Sequence, residues 1–139
     1  MINSNSIKAI YLKKLESRVE DALNVTGEQT VSWAVDLCPF KTGNLSHSLN
    51  CATSKKQGVL GGKTDGTLLE KATEKMTVKI GTNVKYAARI EFGFSGKDSL
   101  GRSINQGGTP FLRGALLSHK KDIVEIFARA FKNTSAGVE

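Results

Sequence analysis

Between Ile7 and Leu37 the apolar and small residues recur at spacings of three and four: Ile7, Tyr11, Leu15, Val19, Ala22, Thr26, Thr30, Ala34 and Leu37. Ile10, Leu12, Leu23, Val31 and Trp33 widen the same stripe, and Lys13, Lys14, Glu16, Arg18, Glu20, Asp21, Glu28, Gln29 and Asp36 fill the remaining positions. This is a helical period, and it predicts one helix over residues 5–37. Ser4 or Ser6 is placed to cap its start. Gly27 interrupts the run at a cost of about 1 kcal/mol against alanine, so a bend there is the alternative to a straight rod. Pro39 ends the helix by pushing its predecessor out of the α region. Such a helix is long for a small domain, and part of it is expected to pack on a neighbouring subunit.

The rest of the chain is built from shorter pieces. Phe40-Lys41-Thr42-Gly43-Asn44 reads as a turn, because Gly43 and Asn44 both tolerate left-handed backbone. Leu45, His47, Leu49, Cys51 and Thr53 alternate weakly with polar or small residues, which predicts a strand over 45–54. Residues 55–73 are rich in glycine and lysine. They form either a short hairpin pairing Val59-Leu60 with Leu68-Leu69 or a flexible arm, and a loop of this length is usually functional or disordered. Met76, Val78 and Ile80 alternate with Lys75, Thr77 and Lys79 as a half-buried antiparallel strand over 74–82. Residues 94–109 read as a second long loop. Thr109 and Pro110 then open a helix over 110–132, since proline is tolerated in the first turn, and 133–139 form a frayed tail. The expected architecture is α+β in one domain, 1–139: a small antiparallel sheet packed against a long N-terminal helix and a C-terminal helix, with two long loops. So few strands leave exposed edges, which proteins blunt or cover with a partner.

Between the second strand and the second loop stands Tyr86-Ala87-Ala88-Arg89-Ile90-Glu91-Phe92-Gly93. Glu91 lies between Ile90 and Phe92 and cannot be buried cheaply without a partner. Arg89, Arg113 or a backbone N–H in need of a cap are the candidates, and an ion pair to another subunit is the alternative. Gly93 suits an abrupt change of direction because it takes positive φ without steric cost. Residues 86–92 are expected to form a helical turn, with 89–92 open to a strand reading.

At 139 residues the chain is long enough for one real core, and 39% apolar against 24% charged residues is ordinary for a soluble domain. Residues 1–6 show no basic stretch followed by an apolar run, so no signal peptide is expected. No apolar run reaches bilayer length, so no membrane partner is expected either. Cys38 and Cys51 are accordingly expected as reduced thiols. The net charge of +7 favours anionic partners without bearing on the fold. Cys38, His47, Cys51 and His119 lack the short Cys-x-x-Cys spacing of structural zinc sites. No third residue orients a Cys–His pair, and the glycine-rich loops lack the Gly-Lys-Ser/Thr ending of a phosphate loop. No enzyme, metal or cofactor is expected.

Four elements in order carry a resemblance: Pro39-x-x-Thr42-Gly43-x-Leu45-x-x-Ser48, Ile80-Gly81, Tyr86-Ala87-x-x-Ile90-Glu91-Phe92-Gly93, and Pro110-Phe111-Leu112-x-x-Ala115. Their spacing resembles the head–tail joining, or tail-completion, proteins of long-tailed phages and prophages, the gene-product-ten-like minor tail proteins. Ser46-His47, Phe94 and Arg113-Gly114 depart from that pattern. The resemblance implies a structural virion protein of the neck or tail. It implies a homo-oligomeric ring, commonly six-fold, between the portal and its adaptors and the tail tube or tail terminator, around the channel that DNA traverses.

Under that resemblance Pro39, Thr42, Gly43, Leu45, Tyr86, Glu91, Phe92, Gly93, Pro110, Phe111 and Leu112 are structural or subunit-interface residues. Read without it, Pro39, Thr42 and Gly43 are a helix stop and turn, and Tyr86 and Phe92 are core aromatics. Lys55, Lys56 and Lys63 are candidate contacts to channel DNA or an acidic partner ring, or simply a solvated loop. The alternative function is a small basic nucleic-acid-binding module. No aromatic lies among these lysines, so base stacking is not supported.

Overall fold

The computed structural model describes residues 3–39 and 43–136, with side chains through 132. Thr42 lies outside the described residues.

Helix α1 runs Ser4–Leu37 without a break. Its cap is Asn3, one residue before the expected serines, whose Oδ1 accepts the Ser6 N–H at 2.8 Å. The helix continues through Gly27 without interruption. This glycine is buried where the first sheet approaches most closely: a Cβ at this position would lie 3.0 Å from Cys51 Sγ and 3.0 Å from Val78 Cγ2. The missing side chain is what lets helix and sheet meet.

That sheet is the antiparallel pair β1 (Asn50–Thr53) and β2 (Val78–Gly81), with Cys51 opposite Ile80 and Ala52 opposite Lys79. The strand expected over 45–54 is half helix: α2 covers Asn44–Ser48 before β1 begins. Leu45 and Leu49 are both buried, and a separation of four places them on one face of a helical turn as well as on one side of a strand. Two further features decide for the turn. Gly43 takes φ 77° just before it, and the Ser46 and Ser48 hydroxyls donate back to the carbonyls of Gly43 and Leu45. The strand expected over 74–82 is likewise shortened. Met76 sits at φ 56°, and its N–H is taken by Glu20 Oε1 at 2.8 Å, so the ladder starts only at Val78.

Residues 87–92 form the short helix α3 (Ala87–Phe92) rather than a strand. The second loop is not structureless: β3 (Phe94–Lys97) and β4 (Ser103–Gln106) pair as a hairpin. Its turn is organised by Asp98, whose Oδ1 accepts from the N–H groups of Leu100 and Arg102 and whose Oδ2 accepts from Arg102 Nε. Serine, glycine, asparagine and glutamine in these strands give no apolar alternation, so the pattern gave no sign of them. The expected single C-terminal helix is two: α4 (Phe111–Ser118) and α5 (Lys120–Ala136). His119 breaks them, stacking on Trp33 with centroids 3.9 Å apart and its Nδ1 2.7 Å from Asp122 Oδ2. The tail expected from residue 133 is helical through Ala136, and residues 137–139 lie outside the described ones.

Both α4 and α5 pack on α1, as does the β1–β2 sheet. The core is Ala34, Cys38, Leu45, Leu49, Val84, Ala87, Phe111 and Ala115, with Val31, Trp33, Ile90 and Leu112 against it. The architecture is α+β as expected, with two separate two-stranded sheets.

Loop 55–73 contains neither the predicted hairpin nor a loose arm. It wraps β1 and is tied down by side-chain amides. Asn50, fully buried, accepts the Leu69 N–H at 2.8 Å and donates to Ser48 O. Asn44 Oδ1 accepts from Thr64 Oγ1 and the Asp65 N–H, and Asn83 donates to Thr67 and Leu68. Gly58 N–H reaches Cys51 O at 2.7 Å and Ala72 N–H reaches Thr53 O at 3.1 Å.

Gly27→Val is expected to lower unfolding stability by about 2 kcal/mol through overpacking against Cys51 and Val78, although glycine is the poorer helix former. Urea unfolding followed by circular dichroism measures it. An unchanged or raised midpoint contradicts the close packing described.

Candidate functional site

Five of the residues singled out from the sequence, Glu91, Gly93, Pro110, Phe111 and Leu112, meet at one corner. Helix α3 ends at Gly93, with φ 81° and ψ −178°, a region open essentially to glycine alone. The chain leaves as the β3–β4 hairpin and returns directly across its own departure point. A Cβ on Gly93 would lie 2.5 Å from Gln106 O, and one on Gly108 would lie 2.7 Å from Glu91 O. The crossing is sealed by the Thr109 N–H, which donates to Ile90 O at 2.7 Å.

Pro110 then opens α4 with no side-chain cap of its own. The first N–H groups of a helix have no intrahelical acceptor. Glu91 supplies what is missing: Oε2 accepts the Leu112 N–H at 3.0 Å and Oε1 the Arg113 N–H at 3.0 Å. These are the two positions that an N-cap side chain normally serves. The Arg113 guanidinium closes the arrangement, with Nε 3.0 Å from Glu91 Oε1 and NH2 3.0 Å from Glu91 O. The carboxylate is 5% exposed. Burial pushes its pKa up, but the backbone N–H groups of Arg113 and Leu112, with the guanidinium, outweigh that and hold it below the usual carboxylate range. Glu91 is thus satisfied by Arg113 and by backbone N–H groups of its own chain; Arg89 instead lies over the Phe94 ring at 4.0 Å.

Phe111, set by this cap, is fully buried. Phe92 is not a core aromatic: it is 67% exposed, with Arg113 4.6 Å above its ring. Tyr86 is also exposed, and its hydroxyl accepts from Asn44 Nδ2 at 2.9 Å. Pro39, Gly43, Leu45 and Tyr86 line a cleft of about 470 Å³ completed by Ile90 and Thr109. Phe92, Phe111 and Leu112 line a second one, of about 430 Å³, against β2. Lys55, Lys56 and Lys63 are all exposed. Lys56 pairs with Glu28 of α1 at 3.4 Å and borders a groove on that helix rather than the corner.

Three residues that matter here escaped sequence reading. Asn44 and Asn50 pin the long loop, and Gly108 permits the crossing. An asparagine inside a predicted strand was the available signal for Asn50, since that residue is depleted in strands. Burial raises the pKa of both thiols, Cys38 and Cys51. Among the described residues no cluster of histidine, cysteine or carboxylate side chains is arranged to hold a metal ion, and no helix is long and apolar enough to cross a membrane.

The corner is a structural joint, held by hydrogen bonds and one ion pair, and it sits in a framework with bare helix and hairpin surfaces. Comparison with known proteins agrees with that character. The HK97-gp10-like family, described as "Bacteriophage HK97-gp10, putative tail-component", matches residues 5–93. This is well over half of the 139-residue chain, and the chain belongs to that family of phage tail components. The Pro110 element lies beyond the matched span; Glu91 is what joins it to the rest. No curated protein and no solved structure matches the chain.

Glu91→Ala is expected to cost about 2 kcal/mol, because it leaves the Leu112 and Arg113 N–H groups without their acceptor, while the half-exposed guanidinium can turn to water. The pH dependence has a defined sign. A carboxyl with a lowered folded pKa contributes stability above its unfolded value, about 4.3, and that contribution disappears as pH falls through the folded value. Wild type and Glu91→Gln should therefore differ by a constant amount between pH 7 and 5 and converge in acid. Denaturant midpoints across that range decide it, and a gap that persists undiminished in acid contradicts the assignment. Gly93→Ala should cost about 3 kcal/mol from backbone strain and the clash with Gln106, read by the same unfolding assay.

Proposed function

We propose that this tail component is a ring-forming subunit of the phage neck, joining the head, through its portal and adaptors, to the tail tube or tail terminator around the DNA channel. Its copies close on one another, six-fold by the family resemblance, and the assembled site is the virion. The observation that carries the reading is the combination of a rigid corner with large unpartnered surfaces. Ile7, Ile10, Tyr11 and Leu12 are all exposed near the start of α1, and Val59, Phe92, Leu117 and Val124 are exposed elsewhere. Exposed apolar residues that follow one another on a single helix end, as Ile7, Ile10 and Tyr11 do, are what an interaction surface offers. A hairpin of only two strands is also marginal alone, which fits one supported by a neighbour.

In this reading the residues of the corner hold the shape of the building block, and Tyr86 and Phe92 are its exposed aromatic anchors. Lys55 and Lys63, with Lys56 once freed from Glu28, are the candidates for passing DNA or an acidic ring face. A role as an independent nucleic-acid-binding module has weaker support, because its basic residues are dispersed and the exposed surface is substantially apolar.

A phage carrying an early stop codon in this gene is expected to yield separate filled heads and unjoined tails in lysates viewed by negative-stain electron microscopy, with joining restored by the wild-type chain in trans. Normally joined particles without the protein would rule out the role.

A further inference from the structure

Charge along α1 is divided into two blocks. Residues 4–19 hold Lys8, Lys13, Lys14 and Arg18 against Glu16 alone, whereas residues 20–37 hold Glu20, Asp21, Glu28 and Asp36 and no lysine or arginine. A helix dipole favours acids near the N-terminus and bases near the C-terminus. Here the first turn has no acid and the last turn no base. The order of charge therefore does not serve the stability of the helix that carries it.

The basic block is also the bare one. Residues 3–14 are all exposed, and Ile7, Ile10, Tyr11 and Leu12 stand among the lysines. About three turns of so exposed a helix gain little from burial, and short helices are marginal in water without it. The acidic block borders a groove of about 420 Å³ between α1 and the start of loop 55–73, lined by Glu28, Val31, Val35, Leu49 and Val59. Val59 is 82% exposed, and Asp36 is exposed beside Val35. An apolar helix end with lysines beside it thus lies at a different place on the molecule from an apolar groove whose charged lining is Glu28, paired with Lys56, with Asp36 exposed next to it on the acidic segment of α1.

We infer that the N-terminal end of α1 from one copy lies in this groove on the next copy, with Ile7, Ile10 and Tyr11 against Val31, Val35 and Val59, and the lysines toward Glu28 and Asp36. The occupant is a second copy of this chain, and the inference rests on the ring reading, for which it supplies the contact. Donor and acceptor patches differ, so the contact is head-to-tail, and rotation between copies closes it into a ring. The Lys56–Glu28 pair does not bar the groove, because exposed ion pairs at 3.4 Å are worth little. The exposed isoleucines and Tyr11 suit a protein groove better than a phosphate backbone.

Two full-length variants test this by sedimentation velocity over a concentration series: Lys8→Glu with Lys13→Glu and Lys14→Glu, and Glu28→Lys with Asp36→Lys. All five positions are exposed, so the fold should survive, as circular dichroism will verify. Circular dichroism of each variant separates lost assembly from helix melting, since an unchanged helical signal leaves the contact as the only loss. Wild type is expected to assemble with concentration. Each variant alone should need about 10-fold more protein or higher. An equimolar mixture should recover assembly, because an acidic helix end then meets a basic groove and a basic end an acidic groove. Either variant assembling like wild type, or a mixture that stays apart, overturns the contact while leaving the ring intact. A wild type that stays monomeric throughout overturns the contact too, and the stop-codon lysate judges the joining role separately.

Discussion

The carboxylate of Glu91 is the tie on which the corner depends. Helix α4 begins at a proline with no side chain to offer its first N–H groups, and the missing acceptor arrives from α3, on the far side of a hairpin. The charge could not be buried alone. Two backbone donors and a guanidinium offset its desolvation, and the same three bonds fix the position of α4. With α4 fixed, Phe111 and Ala115 enter the core against Ala34 and Leu45. A single acid therefore connects the short helix, the crossing at Gly93 and Gly108, and the packing of the C-terminal region on α1.

Polar side chains do comparable work on the opposite side of the first sheet. Loop 55–73 has few apolar residues with which to bury itself, yet it lies closely along β1. An asparagine amide carries both donors and acceptors, and Asn44, Asn50 and Asn83 use them to hold carbonyl and N–H groups of the loop. The backbone bonds from Gly58 and Ala72 then occupy the outer edge of β1. That edge is covered by the chain itself rather than by another strand, which is one of the ways proteins keep an edge from pairing with strangers.

What could be read from the sequence follows from which interactions have a period. The long helix was legible almost to the residue, because its stripe repeats many times over. The corner was legible as chemistry: an acid between Ile90 and Phe92 demanded a partner, and Arg113 or a bare backbone N–H was among the candidates. The turn at Asn44–Ser48 was not, since Leu45 and Leu49 satisfy both a strand and a helix reading, and only the left-handed Gly43 and two serine hydroxyls separate them. The β3–β4 hairpin was hidden because its strands are polar, and the break at His119 because it depends on Trp33, far away in sequence. Contacts between distant polar side chains leave no periodic trace, and the loop pinned by asparagines is of that kind.

Helix α1 is about 50 Å long at the usual rise per residue, and Gly27, the one residue that could have made it a hinge, is clamped against Cys51 and Val78. It is therefore a lever held in the core near Ala34, with the exposed residues 3–14 as its free arm. Whatever grips the free arm also sets the angle at which the body, with its corner and hairpin, is presented. In a circular assembly the step from one member to the next must be the same each time, or the circle fails to meet. In the proposed ring, a lever without a joint would make that step a property of the fold rather than of chance.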